Sequence, residues 1–210
     1  TLSREAERLG ADILSIITPS FAVASQQELY DHYCAVAAHV DTPIVLYNIP
    51  ARTGNKLLPE TVCRLAKDVE VIKGAKDSSG DWENLKAYIQ LTKDLDFSVL
   101  SGNDSLILPA LKEGGVGGIA GCSNVYPKVL SSIYELFQEG KLDEAQAAQD
   151  SIASFRAVFK YGNPNTVVKT AVAMLGYNVG KCRAPFNQLP QEGLEALEKV
   201  LQENKDKGMC

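Results

Sequence analysis

The run Gly74-Ala75-Lys76-Asp77-Ser78-Ser79-Gly80-Asp81 puts a lysine at the end of a short apolar stretch that begins at Val69. A lysine closing a buried strand holds its amine against apolar walls, and burial disfavours the ammonium form. A free amine there is a nucleophile. It condenses with a ketone to a Schiff base, and the iminium is an electron sink for making or breaking a carbon–carbon bond. Lysines at strand ends are more often exposed charges, and Lys73, three residues earlier, is the rival. Strand alternation separates the two. It predicts that Ile72, Gly74 and Lys76 share one face, with Gly74 leaving room beside the Lys76 stem.

A second constellation lies in Leu46-Tyr47-Asn48-Ile49-Pro50-Ala51-Arg52-Thr53-Gly54. Tyr47 closes the preceding strand, so its phenol is placed to move a proton to or from a substrate held on Lys76. Arg52 follows in a loop bounded by Pro50 and Gly54, where a guanidinium can clamp a carboxylate bidentately. Taken singly, Tyr47 reads as a rim aromatic and Arg52 as a solvated charge. Their joint placement one strand before Lys76 weakens both bland readings.

These residues need elements to hold them. Near-continuous apolar runs at 13–18, 43–49, 69–76, 97–102 and 117–121 read as strands buried on both faces. Amphipathic segments alternate with them at 25–40, 58–68, 81–94, 105–115 and 126–140, the first opening with Ser25 and Glu28 at capping-box spacing. Strict alternation leaves a doubly wound sheet or a (β/α)8 TIM barrel. Neither GxGxxG nor GxxxxGK[ST] is present. Polar and Gly-rich positions gather at strand C-terminal ends, the rim on which a barrel builds its active site, so the barrel is the expected α/β fold. Beyond Gly140 the strands stop, and helical patterns at 142–162, 165–176 and 191–208 follow. The expected domains are therefore 1–140, five βα units of the barrel, and 141–210, a helical C-terminal extension.

Composition narrows the function classes. With 210 residues, 45% hydrophobic, 22% charged and a net charge of −5, the chain reads as an ordinary globular protein. The acidic balance argues against nucleic acid or an anionic membrane as partner. No apolar stretch nears the roughly 18–20 residues of a membrane span. Five dispersed cysteines (Cys34, Cys63, Cys122, Cys182 and Cys210) without a CxxC pair read as free thiols in a reducing, cytoplasmic compartment. His32 and His39 share one amphipathic stretch, so no metal site is expected.

The combination of YNIPARTG, GAKDSSGD about thirty residues later, SGND and GGIAGCSN resembles the class I pyruvate-dependent aldolase family of dihydrodipicolinate synthase and N-acetylneuraminate lyase. The likeness runs from about residue 1 to residue 200, GNPN and CRAPF included. It implies that Lys76 forms the Schiff base with pyruvate, that Tyr47 relays protons, and that no separate cofactor or metal is needed. It implies substrate-binding roles for Arg52, Gly102, Asp104 and Ile119, and a homo-oligomer, commonly a tetramer. Arg52 matches the synthase branch, in which it meets the carboxylate of the aldehyde, aspartate semialdehyde, in lysine biosynthesis. Ser105 and Gly121 stand where sugar-acid lyases carry other residues. One position departs from the synthases. They usually show TPYY, whose second tyrosine enters the neighbouring subunit's site, whereas this chain reads Thr18-Pro19-Ser20-Phe21. A lyase or dehydratase of a 2-keto-3-deoxy sugar acid is the alternative within the enzyme class. An inactive fragment or structural subunit is the alternative outside it. Five strands are readable where a barrel needs eight, so about three βα units are expected upstream of Thr1.

Overall fold

Apolar residues switch repeatedly between periods of two and about 3.6, and the backbone follows them. The computed structural model describes residues 1–186 and 188–209; Cys210 lies outside the described residues. Five parallel strands form one sheet: β1 (Leu14–Ile17), β2 (Ile44–Asn48), β3 (Ile72–Asp77), β4 (Ser98–Ser101) and β5 (Gly117–Gly118). Their spatial order is the chain order. A doubly wound sheet reverses its order part-way, so this sheet is wound in one direction, as barrel sheets are.

Helices α1 (Leu2–Arg8), α2 (Gln26–Ala37), α3 (Pro50–Thr53), α4 (Pro59–Asp68), α5 (Trp82–Thr92) and α6 (Ile107–Glu113) fill the intervals. The capping box that starts α2 is formed: Ser25 N donates to Glu28 Oε2 at 2.7 Å, and Glu28 N donates to Ser25 Oγ at 3.3 Å. Pro59 occupies the first turn of α4, where its missing N–H costs nothing. Leu29 and Tyr33 of α2, Val62 and Leu65 of α4, and Leu85 and Tyr88 of α5 pack on Ile44, Leu46, Ile72, Ala75 and Val99 of the sheet. The two buried phenols are satisfied by backbone carbonyls, Tyr33 donating to Ile16 O at 3.1 Å and Tyr88 to Leu57 O at 2.5 Å.

The register corrects one expectation. Leu46 pairs with Ala75 and Tyr47 with Lys76, but Ile44 pairs with Ile72, because the ladder shifts between Ile44 and Val45. Paired residues in a parallel ladder point the same way. Ile72 therefore joins Ala75 on the helix-covered side, while Gly74 and Lys76 share the other side with Val45 and Tyr47. The irregularity makes room for one extra residue, which strict alternation cannot anticipate. Lys73 is thereby sent to the surface, its Nζ 2.7 Å from Asp96 Oδ2. The strands are also not uniformly covered on both faces. On the Lys76 side Val45 is buried and Leu100 half-buried, but Ser15 is exposed and Ile17 is 44% exposed.

The contacts divide the chain into two compact units, residues 1–119 and 120–210. The second contains α7 (Pro127–Gln138), α8 (Leu142–Ser151), α9 (Ala153–Arg156), α10 (Pro164–Met174) and α11 (Gln191–Asp206). The single helix expected over 142–162 is broken: α8 and α9 are followed by a 3-10 stretch, Ala157–Tyr161. Ile152, Phe155 and Val158 are all buried and stand three residues apart, the spacing that a tighter, three-residue turn keeps on one side. In the core of this unit the Tyr126 and Phe155 rings meet edge-on at 5.3 Å, and Asn204 Nδ2 donates to Tyr126 Oη at 2.9 Å.

Candidate active site

The candidate nucleophile sits where β3 ends. Lys76 is half-buried and pairs with Tyr47 on β2 and Leu100 on β4. Parallel neighbours on one side of the sheet bring their side chains into contact, and Lys76 Nζ lies over the Tyr47 ring, 3.9 Å from its centroid. That contact places a cation against the electron-rich face of the phenol ring.

A buried polar network holds both strand ends. Asn48 and Asp77, the next register pair, point to the opposite, helix-covered side and are 1% and 2% exposed. Asp77 Oδ1 accepts from Asn48 Nδ2 at 2.9 Å and from Ser79 N at 2.9 Å. Its Oδ2 accepts from Asn84 Nδ2 at 3.0 Å and from Ser79 Oγ at 3.0 Å. Asn48 Oδ1 in turn accepts from Leu57 N at 3.0 Å. One carboxylate thus ties the end of β2, the end of β3 and the first turn of α5. In the sequence, Asn48 and Asp77 stand out only as members of motifs, and Asn84 does not stand out at all. The available signal was the pair of polar residues, Asn48 and Asp77, each directly following a singled-out strand-end residue.

Gly102 borders the lysine. A Cβ built there would lie 1.9 Å from Ser78 Oγ and 2.8 Å from Lys76 Cε. Contacts that short force displacement, so Gly102→Ala is expected to push the lysine aside. Reaction of that amine with a carbonyl compound should fall at least about tenfold, with a stability loss of about 1–3 kcal/mol from overpacking. Borohydride trapping followed by intact mass, beside a thermal melt, checks both.

The other residues singled out are less intimately placed. Arg52 lies in α3 and is exposed, with its backbone N donating to Ile49 O at 2.9 Å. Asp104 is 5% exposed and opens the 3-10 turn Asp104–Leu106 after β4. Ile119 follows β5, is 46% exposed, and its N donates to Ser101 O at 2.8 Å. All three stand at the C-terminal ends of strands, as does Lys76. The loop after β1 is pinned by Asn55, whose Nδ2 donates to Pro19 O and Ala22 O at 2.9 and 2.8 Å. It leaves Phe21 at φ 79° and 99% exposed. The second unit has an open groove of about 940 Å³ lined by Pro127, Val172, Met174 and Leu201 among others; none of the singled-out residues lines it. Among the described residues no cluster of three or more His, Cys, Asp or Glu could hold a metal ion, and no helix is long and apolar enough to cross a membrane. Cys34, Cys63 and Cys182 carry free thiols.

A one-way-wound parallel α/β sheet with a lysine and a tyrosine in contact at its C-terminal edge is an arrangement that suits an imine-forming aldolase. Residues 1–204 match the dihydrodipicolinate synthetase family, and the chain belongs to that family. A 4-hydroxy-tetrahydrodipicolinate synthase of Methanospirillum hungatei is 38% identical over 95% of this chain and 68% of its own length. The crystal structure of dihydrodipicolinate synthase from Thermotoga maritima superposes with a TM-score of 0.92 at 31% identity, covering 97% of this chain and 70% of that one. YagE, a prophage protein of the same family from E. coli solved in complex with pyruvate, superposes at 0.90 with 27% identity, covering 100% and 70%.

Proposed function

We infer that this chain works as a 4-hydroxy-tetrahydrodipicolinate synthase, a lyase that condenses pyruvate with aspartate semialdehyde through an imine on Lys76. The observation that carries the reading is the seating of Lys76 Nζ 3.9 Å over the ring of its register partner Tyr47. Lys76 adds to the keto carbon of pyruvate and water leaves. Loss of a methyl proton gives an enamine, which attacks the aldehyde carbon. Tyr47 carries protons in these steps, and Arg52, exposed at the same edge of the sheet, meets the carboxylate of the incoming aldehyde. Gly102 leaves room for the lysine, and Asp104 and Ile119 border the substrate. The structure of YagE in complex with pyruvate supports the choice of first substrate.

This chain matches 68% of the length of the M. hungatei relative, and Ile13 and Ile17 are 60% and 44% exposed beside the lysine-bearing face. An eight-stranded barrel, with three further βα units before β1, is therefore the form proposed for the intact enzyme. Its barrel portion runs to residue 140 and its helical extension spans 141–210. Assembly as a homo-oligomer is part of the proposal, supported by the exposed apolar side chains of Phe21 and Val23. So is a cytoplasmic location, supported by the free thiols.

Assaying aspartate semialdehyde beside a panel of 2-keto-3-deoxy sugar acids tests the substrate. Turnover of the semialdehyde alone is expected. Preference for a keto-deoxy acid favours the second reading, to which the missing hydroxyl of Phe21 lends support. Tyr47→Phe keeps the ring under Lys76 and removes only the hydroxyl. Condensation is expected to slow by about 10²–10⁴-fold while the melting temperature stays within a few degrees, a pair of results that kinetics and calorimetry separate.

A further inference from the structure

Ser78 lies two residues beyond Lys76, and its Oγ is a buried side-chain atom with no hydrogen-bond partner. Burying a hydroxyl unpaired is costly, so such groups are rare unless something else completes them. Three features make this one informative. It follows the register pair Asn48–Asp77 on β3's continuation, where Ser78 N donates to Asn48 O at 2.8 Å, so alternation returns its side chain to the Lys76 side. Its Oγ and Lys76 Cε crowd the same point beside Gly102, at 1.9 and 2.8 Å from where a Cβ would stand. Finally, the next residue, Ser79, spends its hydroxyl on Asp77 at 3.0 Å, so the two adjacent serines have divided roles.

Resting on the imine reading above, we propose that Ser78 is a further catalytic residue, whose hydroxyl donates a hydrogen bond to the keto oxygen of pyruvate as Lys76 adds to it. The step balances simply. Nζ forms a bond to the keto carbon while the carbonyl π pair moves onto oxygen. That oxygen takes one proton from Nζ and one from solvent and departs as water, leaving the protonated C=N. Ser78 gives up no proton. It holds the oxygen while negative charge gathers there, which is where a preorganised donor has most effect. The substrate oxygen completes the hydrogen bonding that the free protein leaves open.

Ser78→Ala separates this role from a structural one. Deleting an unpartnered hydroxyl removes a desolvation cost, so the variant is expected to melt at or above the wild-type temperature. Covalent trapping of pyruvate by borohydride, with no aldehyde present, is expected to slow about 10²-fold. Trapping at the wild-type rate overturns the proposal, even if the aldehyde reaction suffers. So does slow trapping accompanied by a lower melting temperature. Failure of the wild-type chain to trap pyruvate defeats the imine reading itself, and this inference with it.

Discussion

Replacing Lys76 by alanine is expected to leave a folded protein that gains no mass from pyruvate and borohydride. Condensation should fall by about 10³–10⁶-fold, the range seen when a covalent nucleophile is removed. The structural cost should be small. Lys76 is half-buried, makes no ion pair among the described residues, and contributes its stem and one ring contact to the fold. A loss of about 1 kcal/mol follows from those contacts. The internal control is Lys73→Ala. That side chain is 42% exposed and paired with Asp96 at the surface, where an ion pair contributes about 0–1 kcal/mol. Lys73→Ala should trap pyruvate as wild type does. If trapping survives Lys76→Ala, or vanishes in Lys73→Ala instead, the nucleophile has been misassigned.

The second large effect falls on stability and comes from a residue that touches no substrate. Asp77→Ala is expected to lower the melting temperature by about 10–20 °C. Four donors, Asn48 Nδ2, Asn84 Nδ2, Ser79 N and Ser79 Oγ, lose their acceptor at once. Asn48 and Asn84 are 1% and 4% exposed, so water does not readily replace it. Each buried orphan costs about 1–3 kcal/mol. A total of several kcal/mol is a large part of the 5–15 kcal/mol that typically holds a domain, and at this chain length each one lowers the melting point by about 2–4 °C. Asp77→Asn should be milder, because one acceptor survives and only one side of the group faces donors with a donor. A melt of Asp77→Ala within about 3 °C of wild type would show that the network does not clamp the strand ends.

The alternation of elements was legible because it is written locally. Ser25 and Glu28 announced the start of α2, Pro59 that of α4, and both stand where expected. That Lys73 and Lys76 stand in different surroundings was also expected from the chain, though partly for a wrong reason. Alternation grouped Ile72 with Lys76, and the shifted ladder puts Ile72 with Ala75. A register shift depends on the neighbouring strand, about thirty residues away, so periodicity within β3 could not reveal it. The helix expected over 142–162 failed similarly, because an apolar pattern with three-residue spacing satisfies either helix type until the core selects the tighter one. The Asn48–Asp77–Asn84 network was invisible, since polar residues after a strand look the same whether they are solvated or buried.

By itself, then, the sequence determined which chemistry is on offer: a lysine and a tyrosine closing consecutive strands, an arginine between glycine and proline, and a family motif around each. Those are facts of residue type and spacing. Tertiary structure alone decided that the amine rests on the phenol ring, that Gly102 must lack a side chain, and that Ser78 keeps an unused hydroxyl beside the lysine. Contacts of this kind join residues from different strands, and their distances are set by register and close packing, which no single stretch of chain encodes.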